Sequence, residues 1–211
     1  MPPSTSSRTQ TPTKPPALSR QLPWMLLLGG ATGLAAALAL ILERMALLKD
    51  PDHIPACSIN PVLNCGSVMS TWQAEAFGFP NPLIGIAAFS ALAAVGAVLL
   101  TGGTLARPAW IALVMGAAAG LVFVHWLIYQ SLYVIGALCP YCMAVWVVTI
   151  AAFWSVLVHV ASAGHLGRGP FIRAFNRTLG AYHGAALTAW YLAIVALILV
   201  RFWSYWRTLL V

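Results

Sequence analysis

The sequence predicts an all-α integral membrane protein with five transmembrane helices. Of its 211 residues, 61% are hydrophobic and only 7% are charged, whereas a soluble domain averages about 25% charged residues. Five apolar stretches, uncharged except for Arg201 near the end of the fifth, each reach the length of about 20 residues that a helix needs to cross a bilayer. They cover residues 24–42, 83–101, 109–135, 138–162 and 186–202.

The first span follows a polar N-terminal segment, which we predict to be a disordered cytoplasmic tail of residues 1–22. Residues 1–20 are rich in Pro, Ser and Thr, and their apolar content is too low to form a core. A basic head before an apolar run is also typical of a signal peptide, but the run 24–42 exceeds the 7–15 residues of a signal core. We therefore expect an uncleaved anchor, with cleavage near Ala35-Ala36-Ala37 as the alternative.

The third and fourth spans are continuous in hydropathy, because residues 108–164 contain no Asp, Glu, Lys or Arg. Gly136 and Pro140 mark the break between them. Proline inside a helix removes a backbone hydrogen bond, but it suits the first turn. The sequence therefore predicts that the fourth helix begins at Pro140, with Cys139 as its N-cap.

The charges predict a cytoplasmic N-terminus. In that orientation seven basic residues lie inside and four lie outside, which obeys the positive-inside rule. An outer loop then spans residues 47–82, a cytoplasmic loop spans 163–185, and residues 186–211 form the fifth span and an outer C-terminus. The net charge of +7 is explained by this asymmetry, so it does not require a nucleic acid partner. The inner group is Arg8, Lys14, Arg20, Arg107, Arg168, Arg173 and Arg177, and the outer group is Arg44, Lys49, Arg201 and Arg207.

The four cysteines are the main candidates for chemistry. Cys57 and Cys65 lie in the outer loop with seven residues between them, and Cys139 and Cys142 form a CxxC motif at the mouth of the fourth span. The predicted orientation places all four at the outer face, where disulfides form and persist. Because a CxxC is a redox or metal signature, we infer a relay from a partner thiol to the loop pair, then to the CxxC, then to an acceptor in the membrane.

The position of the CxxC predicts different roles for its two cysteines. A thiolate at an N-cap accepts backbone N–H bonds and faces the positive end of the helix dipole, and both effects lower a thiol pKa. Cys139 is therefore expected to be the exposed, exchanging sulfur. Cys142 lies about one turn deeper, where an apolar oxidant could dock.

Three further residues are candidates with an alternative structural reading. Trp146, one turn below Cys142, could stack on a bound ring or simply pack. Asn81, between two prolines, could donate to a quinone carbonyl or cap the second span. His125 in the third span could carry protons, since ionisable residues within the membrane are often functional, or could be a satisfied buried histidine.

The cysteines also allow non-catalytic readings. Four cysteines could bind a structural zinc ion, although such sites favour two short C-x2-4-C knuckles. Two inert structural disulfides are the other alternative, and the protein would then be a membrane scaffold or transporter. Resistance of the disulfides to mild reductant would indicate the structural-disulfide alternative.

The ordered set of motifs resembles the vitamin K epoxide reductase family, and its bacterial members in particular. The resemblance covers residues 26–160. It depends on the spaced loop cysteines, on Ser70-Thr71, on Phe77-Gly78-Phe79-Pro80-Asn81 before the second span, and on Leu138-Cys139-Pro140-Tyr141-Cys142 at the fourth span.

The resemblance implies that residues 23–162 form a four-helix catalytic bundle around a quinone site, with the fifth helix beside it. It implies that Cys142 is next to the quinone, that Cys139 is its exchange partner, that Cys65 attacks Cys139 and that Cys57 faces the protein partner. By the same resemblance, Asn81, Trp146 and Ser70 belong to the binding site of the quinone, menaquinone or ubiquinone, with Ser70 in a helix-capping segment.

Two departures from the family refine these expectations. Eukaryotic members commonly carry Tyr at the position of Trp146, which argues against epoxide reduction as the native task. Many bacterial members continue into a thioredoxin-like domain, which we do not expect here, so the implied partner is a separate DsbA-like thioredoxin-fold protein outside the cytoplasm. A DsbB-like oxidase performs similar chemistry, but with the CxxC in the first outer loop and the spaced pair in the second.

Overall fold

The protein is an all-α membrane protein, as the sequence predicts. The computed structural model describes residues 17–165 and 170–208, with the side chains of 21–165, Thr178 and 182–208. Five helices in these ranges are long and apolar enough to cross a membrane. The α-helices are α1 (Ala17–Lys49), α2 (Cys65–Met69), α3 (Pro82–Leu100), α4 (Arg107–Tyr129), α5 (Pro140–Ser162), α6 (Pro170–Arg201) and α7 (Trp203–Thr208).

Two of the predicted boundaries differ from the structure. Helix α1 continues to Lys49, past the predicted end at residue 42, because Glu43 and Arg44 end an apolar run but are good helix formers. Much of the predicted loop 163–185 is helical, since α6 begins at Pro170, although the part of α6 that is apolar enough to span a membrane begins only at Tyr182. Of the predicted tail 1–22, residues 1–16 lie outside the described residues, as do 166–169 and 209–211, and α1 already includes residues 17–22.

Helices α1 and α3 form the most closely packed pair of the bundle. Gly96 on α3 lies against the α1 backbone, and a Cβ atom built there would be 2.8 Å from the Leu27 Cα and 2.9 Å from the Pro23 carbonyl oxygen. Small residues allow helices in membranes to approach this closely. The lack of a side chain at residue 96 therefore fixes the distance between the two helices.

The four helices α1, α3, α4 and α5 surround the interior of the bundle. Helix α1 packs against α3 and α5, and α5 packs in turn against α4. Helices α3 and α4 make few direct contacts with each other. Away from the cysteines, the bundle contains an apolar cluster that includes Leu26, Phe89, Trp110 and Val156.

Helix α6 packs on the outside of this bundle, and side-chain hydrogen bonds join it to α4 and α5. The Trp190 indole N–H donates to His125 Nε2 at 3.0 Å, and His125 Nδ1 lies 2.8 Å from the Leu121 carbonyl oxygen. The Tyr191 hydroxyl donates to the Val147 carbonyl oxygen at 2.8 Å. Both ring nitrogens of His125 are thus occupied by fixed partners, which favours the structural reading of this residue over the proton-carrier reading.

Candidate active site

The short turn between α4 and α5 positions the CxxC motif. Helix α4 ends in a π-helical turn, Gln130–Ile135, and Gly136 then takes a left-handed conformation with φ of 71°. Glycine reaches this region without the steric cost that a Cβ atom adds. The break predicted at Gly136 and the start of α5 at Pro140 are both confirmed.

A short backbone pairing joins this turn to the outer loop. Leu138 forms an isolated parallel bridge with Leu63. Its N–H donates to the Val62 carbonyl oxygen at 2.7 Å, and its carbonyl oxygen accepts from the Asn64 N–H at 2.8 Å. Since Cys65 follows Asn64 and Cys139 follows Leu138, this pairing brings one cysteine of each pair side by side.

The sulfur atoms are arranged as a relay requires. Cys57 and Cys65 form a disulfide, whereas Cys139 and Cys142 are free thiols. The Sγ atoms of Cys65 and Cys139 are 3.1 Å apart. A thiolate at Cys139 and the disulfide sulfur of Cys65 are therefore close enough for thiol–disulfide exchange, which proceeds by direct attack of one sulfur on another.

Cys139 caps α5 as predicted. Its Sγ accepts from the Cys142 backbone N–H at 3.5 Å. Its pKa lies below the ordinary value of a thiol, first because the Cys142 thiol hydrogen-bonds to it; the backbone N–H groups of Cys142 and Tyr141 add to this effect, and burial opposes it. The thiolate of Cys139 is therefore favoured relative to that of a free cysteine.

The prediction that Cys139 is exposed is wrong. Its exposed fraction is 0%, and those of Cys65 and Cys57 are 0% and 4%. The loop before Cys57 is held to α1 by Glu43, which contacts His53 Nε2 at 2.8 Å and accepts from the Ala56 N–H at 3.2 Å. A tertiary contact of this kind leaves no local pattern in the sequence. Because Cys57 is buried, it must become more exposed before a protein thiol can attack it.

A cavity of about 360 Å³ lies inside the bundle next to Cys142. This volume is at the lower end of the range of small-molecule sites, about 300–1,000 Å³. Residues of α3 and α4 both line it, and most of the lining is apolar. The lining residues with polar or reactive side-chain atoms are Arg44, Gln73, Asn81, Ser131, Cys142, Trp146 and Thr149.

Trp146 lines this cavity with an unpartnered polar atom. The side chain is 3% exposed, and its Nε1 is buried with no hydrogen-bond partner among the described residues. Leaving a buried donor unpaired costs about 1–3 kcal/mol. An indole N–H at this position could be satisfied by a carbonyl oxygen of a molecule bound in the cavity.

Asn81 lies in the cavity wall, but two contacts already occupy its side chain. Its Nδ2 donates to the Gln73 carbonyl oxygen at 2.6 Å, and its Oδ1 accepts from the Ala76 N–H at 3.2 Å. It stands at the N-cap position of α3 without a capping side-chain bond. The amide therefore holds the loop before α3, and one of its two N–H groups remains available to a ligand.

Ser70 does not belong to the cavity. It is exposed, stands at the C-cap of α2 and donates to the Ser67 carbonyl oxygen at 3.2 Å. The structure thus agrees with its place in a helix-capping segment and contradicts a direct role in binding a molecule beside Cys142. The hydroxyl group of a serine at a helix end commonly bonds to nearby backbone groups. The position of Ser70 in the motif therefore did not show whether its side chain reaches the cavity.

Gln73 is a site residue that the motifs did not single out. It is 3% exposed, lines the cavity and donates from Nε2 to Gln130 Oε1 at 3.2 Å across the α4 turn. A buried amide of this kind is costly unless it is paired. No pattern around Gln73 distinguishes it from a loop glutamine, so its burial could be found only from the fold.

The zinc alternative is weaker in this arrangement. The sulfurs of Cys57, Cys65 and Cys139 lie within 4.8 Å of one another. Two of them are joined in a disulfide, whereas zinc binds thiolates. Cys142 is not part of this group and lies instead at the cavity.

The model of the vitamin K epoxide reductase family matches residues 24–157. This range is more than half of the chain, contains all four cysteines together with Asn81 and Trp146, and ends before α6. No curated protein sequence matches the chain.

Proposed function

This chain belongs to the vitamin K epoxide reductase family, and from that premise we propose that it is a quinone-dependent enzyme that reoxidises a thioredoxin-fold partner outside the cytoplasm. Membership of the family implies a thiol–disulfide oxidoreductase, and the five spanning helices make it a multi-pass membrane protein. The observation that carries the proposal is the approach of Cys65 Sγ to Cys139 Sγ at 3.1 Å. It brings the loop pair to the CxxC motif, whose other cysteine, Cys142, lines the cavity.

The first half of the reaction oxidises the partner. A thiolate of the partner attacks Cys57, the Cys57–Cys65 bond breaks, and Cys65 leaves as a thiolate. The second thiolate of the partner then displaces Cys57, so the partner becomes a disulfide and the loop pair a dithiol. Two electrons have moved to the loop pair, and the partner's two thiol protons have gone to the loop sulfurs or to water.

The second half moves these electrons inward. Cys65 attacks Cys139 of an oxidised Cys139–Cys142 pair and releases Cys142 as a thiolate; Cys57 then displaces Cys139 and restores the loop disulfide. The structure has the loop pair oxidised and the CxxC reduced, which matches the state after this exchange. The lowered pKa of Cys139 makes it a good leaving group, since thiols of lower pKa leave faster.

The cavity residues fit a quinone as the final acceptor. When bound, a quinone takes two electrons and two protons and becomes a quinol, while Cys139 and Cys142 become a disulfide. Trp146 would donate its free indole N–H to one carbonyl, and Asn81 would offer its remaining amide N–H. The apolar lining excludes water from Cys142. Both menaquinone and ubiquinone present the carbonyl pair that these donors require.

The surface around Cys57 supports a protein partner of the DsbA-like type. Ile54 and Ile59, on either side of Cys57 in the chain, are 77% and 68% exposed. Apolar side chains rimmed by polar residues are typical of protein interaction sites. A partner that binds these side chains could displace the loop and expose Cys57 to its thiolate.

The direct test is quinone reduction by the purified full chain, followed by absorbance, with a reduced DsbA-like protein as electron donor. We expect Cys142→Ala to abolish turnover with every donor. Cys57→Ala should slow turnover with the protein donor but retain turnover with a small dithiol. Quinone turnover by Cys142→Ala would show that the thiol beside the quinone is wrongly assigned.

A complementary measurement addresses the non-catalytic alternative. Inert structural disulfides in a scaffold or transporter would resist mild reductant, and no donor would drive quinone reduction by the wild-type chain. That combined result would refute the proposed function, whatever the behaviour of the variants.

A further inference from the structure

We propose that the outer end of α6 is a brace that positions the two exchanging sulfurs, with Arg201 as its positioning residue. This inference rests on the proposed function, because the brace would act on the exchange between Cys65 and Cys139. The family match ends at residue 157, so α6 lies outside the part of the chain that the match covers.

The brace begins with one hydrogen bond over a long sequence separation. Arg201 Nε donates to the Leu132 carbonyl oxygen at 2.8 Å. Leu132 has an exposed fraction of 0% and lies in the π-helical turn that ends α4. The C-terminal carbonyl groups of a helical segment lack partners within it, and a cation there is favourable. Arg201 thus satisfies a buried carbonyl group of the turn that leads to the CxxC.

The same end of α6 also contacts the turn through apolar side chains. Ile198 and Phe202 are 8% and 6% exposed and belong to one buried cluster with Val62, Leu138 and Trp146. Val62 and Leu138 are the two residues joined by the 2.7 Å backbone hydrogen bond beside the cysteines. The cluster therefore joins α6 to both sides of the backbone pairing and to the cavity wall.

These contacts form a continuous path to the sulfurs. Arg201 holds Leu132, and the chain runs from Leu132 through Gly136 to Leu138 and Cys139. Gly136 has the conformational freedom to let this segment move if the turn is not held. A misplacement of about 1 Å can slow a reaction between held groups by roughly 100-fold. Arg201 is therefore expected to set the effective concentration of Cys139 at Cys65.

The test measures this effective concentration without any quinone. In the full chain carrying Cys57→Ala and Cys142→Ala, only Cys65 and Cys139 remain, and their disulfide can be brought to equilibrium with a glutathione redox buffer and quantified by mass spectrometry. Adding Arg201→Gln should lower the equilibrium constant about tenfold, which corresponds to about 30 mV. Arg201→Lys should recover most of the loss, because an ammonium group can also donate to a carbonyl oxygen.

Two matched variants separate this brace from general effects on α6. Arg207→Gln removes a positive charge from the same end of the protein, which tests a role of Arg201 in membrane anchoring alone. Tyr191→Phe removes the hydrogen bond to Val147, which loosens α6 away from the π-helical turn. Both should leave the constant within about twofold of the parent protein, because neither change touches the π-helical turn or the cysteines.

Three results would overturn the brace. They are an Arg201→Gln constant within twofold of the parent, a loss of equal size in Tyr191→Phe or Arg207→Gln, and a parent protein in which Cys65 and Cys139 form no disulfide. A thermal unfolding measurement on each variant shows whether Arg201→Gln is folded. If it is not, Arg201→Met, which keeps much of the apolar stem and removes the donor, takes its place with the same expected loss. Failure of quinone reduction by the wild-type chain would refute the proposed function but not this constant.

Discussion

At the scale of single residues, the cavity is defined by very few polar atoms. Cys142 contributes the reactive thiol, Trp146 an unpartnered indole N–H, and Asn81 one amide N–H beyond its bonds to Gln73 and Ala76. Substitution of Asn81 would therefore loosen the loop as well as any bound quinone. Trp146 allows a cleaner test of quinone binding, because Phe keeps an aromatic ring and removes the N–H group.

Trp146→Phe is expected to raise the KM for quinone by roughly 5- to 150-fold, since a buried acceptor that loses its donor costs about 1–3 kcal/mol. Exchange between Cys65 and Cys139 should be unchanged. Steady-state quinone reduction at saturating thiol donor measures the KM, and the Cys65–Cys139 equilibrium in a glutathione redox buffer measures the exchange. Trp154→Phe is the control: Trp154 is also on α5 with a buried, unpartnered Nε1, but it does not line the cavity. Equal KM values for the two variants would remove Trp146 from the quinone site.

Local chemistry was predictable for some of these residues and not for others. The N-cap role of Cys139 follows from its place before Pro140, and the structure confirms it. The burial of Cys139 depends on how distant segments meet, and the bonds from Asn81 to Gln73 and Ala76 depend on how the loop between them folds. No spacing rule encodes such contacts, which is why the exposure of Cys139 was predicted wrongly.

At the scale of helices, the contact between α1 and α3 depends on Gly96. Replacement of a helix glycine by alanine normally stabilises a helix by about 0.5–1 kcal/mol. At residue 96 the added Cβ atom would overlap the α1 backbone, and overpacking costs roughly 1–3 kcal/mol. The clash is the larger effect, so the pair of helices must separate.

Gly96→Ala is therefore expected to lower the thermal stability of the protein in detergent. Gly184→Ala on α6 is the matched control, because a Cβ atom there meets no atom within 4 Å; its midpoint should stay the same or rise. A Gly96→Ala protein as stable as the wild type would show that α1 and α3 do not pack as closely as described.

Hydropathy located all five spanning helices but not their ends. Spans end where charged side chains begin, whereas helices continue through residues such as Glu43 and Arg44 that retain helical propensity. The same reason explains the start of α6 at Pro170 inside a predicted loop. Proline and glycine were better markers, since Gly136 and Pro140 act on the backbone directly.

At the scale of the whole molecule, the five spans place the four cysteines at one end of the bundle. The turn between α4 and α5, the loop after α1 and the end of α6 all lie at that end. The distribution of Lys and Arg predicts that this end faces away from the cytoplasm. Only that side is oxidising enough for the proposed partner.

The predicted orientation places residue 167 in the cytoplasm and the end of the chain, after Val211, outside it. A fluorescent protein should therefore be active when fused at residue 167, and alkaline phosphatase should be active when fused after Val211. A fusion within the predicted tail, after Arg8, is the control and should behave like the one at residue 167. The reverse pattern would place the cysteines in a reducing compartment and would be incompatible with the proposed relay.

The weak contact between α3 and α4 bears on which concentration of the proposed quinone controls turnover. Both helices line the cavity, yet each packs mainly against other helices, so a quinone that reaches the cavity from the lipid would pass between them. A molecule that enters there diffuses in two dimensions and is drawn from the lipid phase. Turnover then depends on the mole fraction of acceptor in the lipid, and extra detergent at constant total quinone dilutes the substrate without changing its molarity.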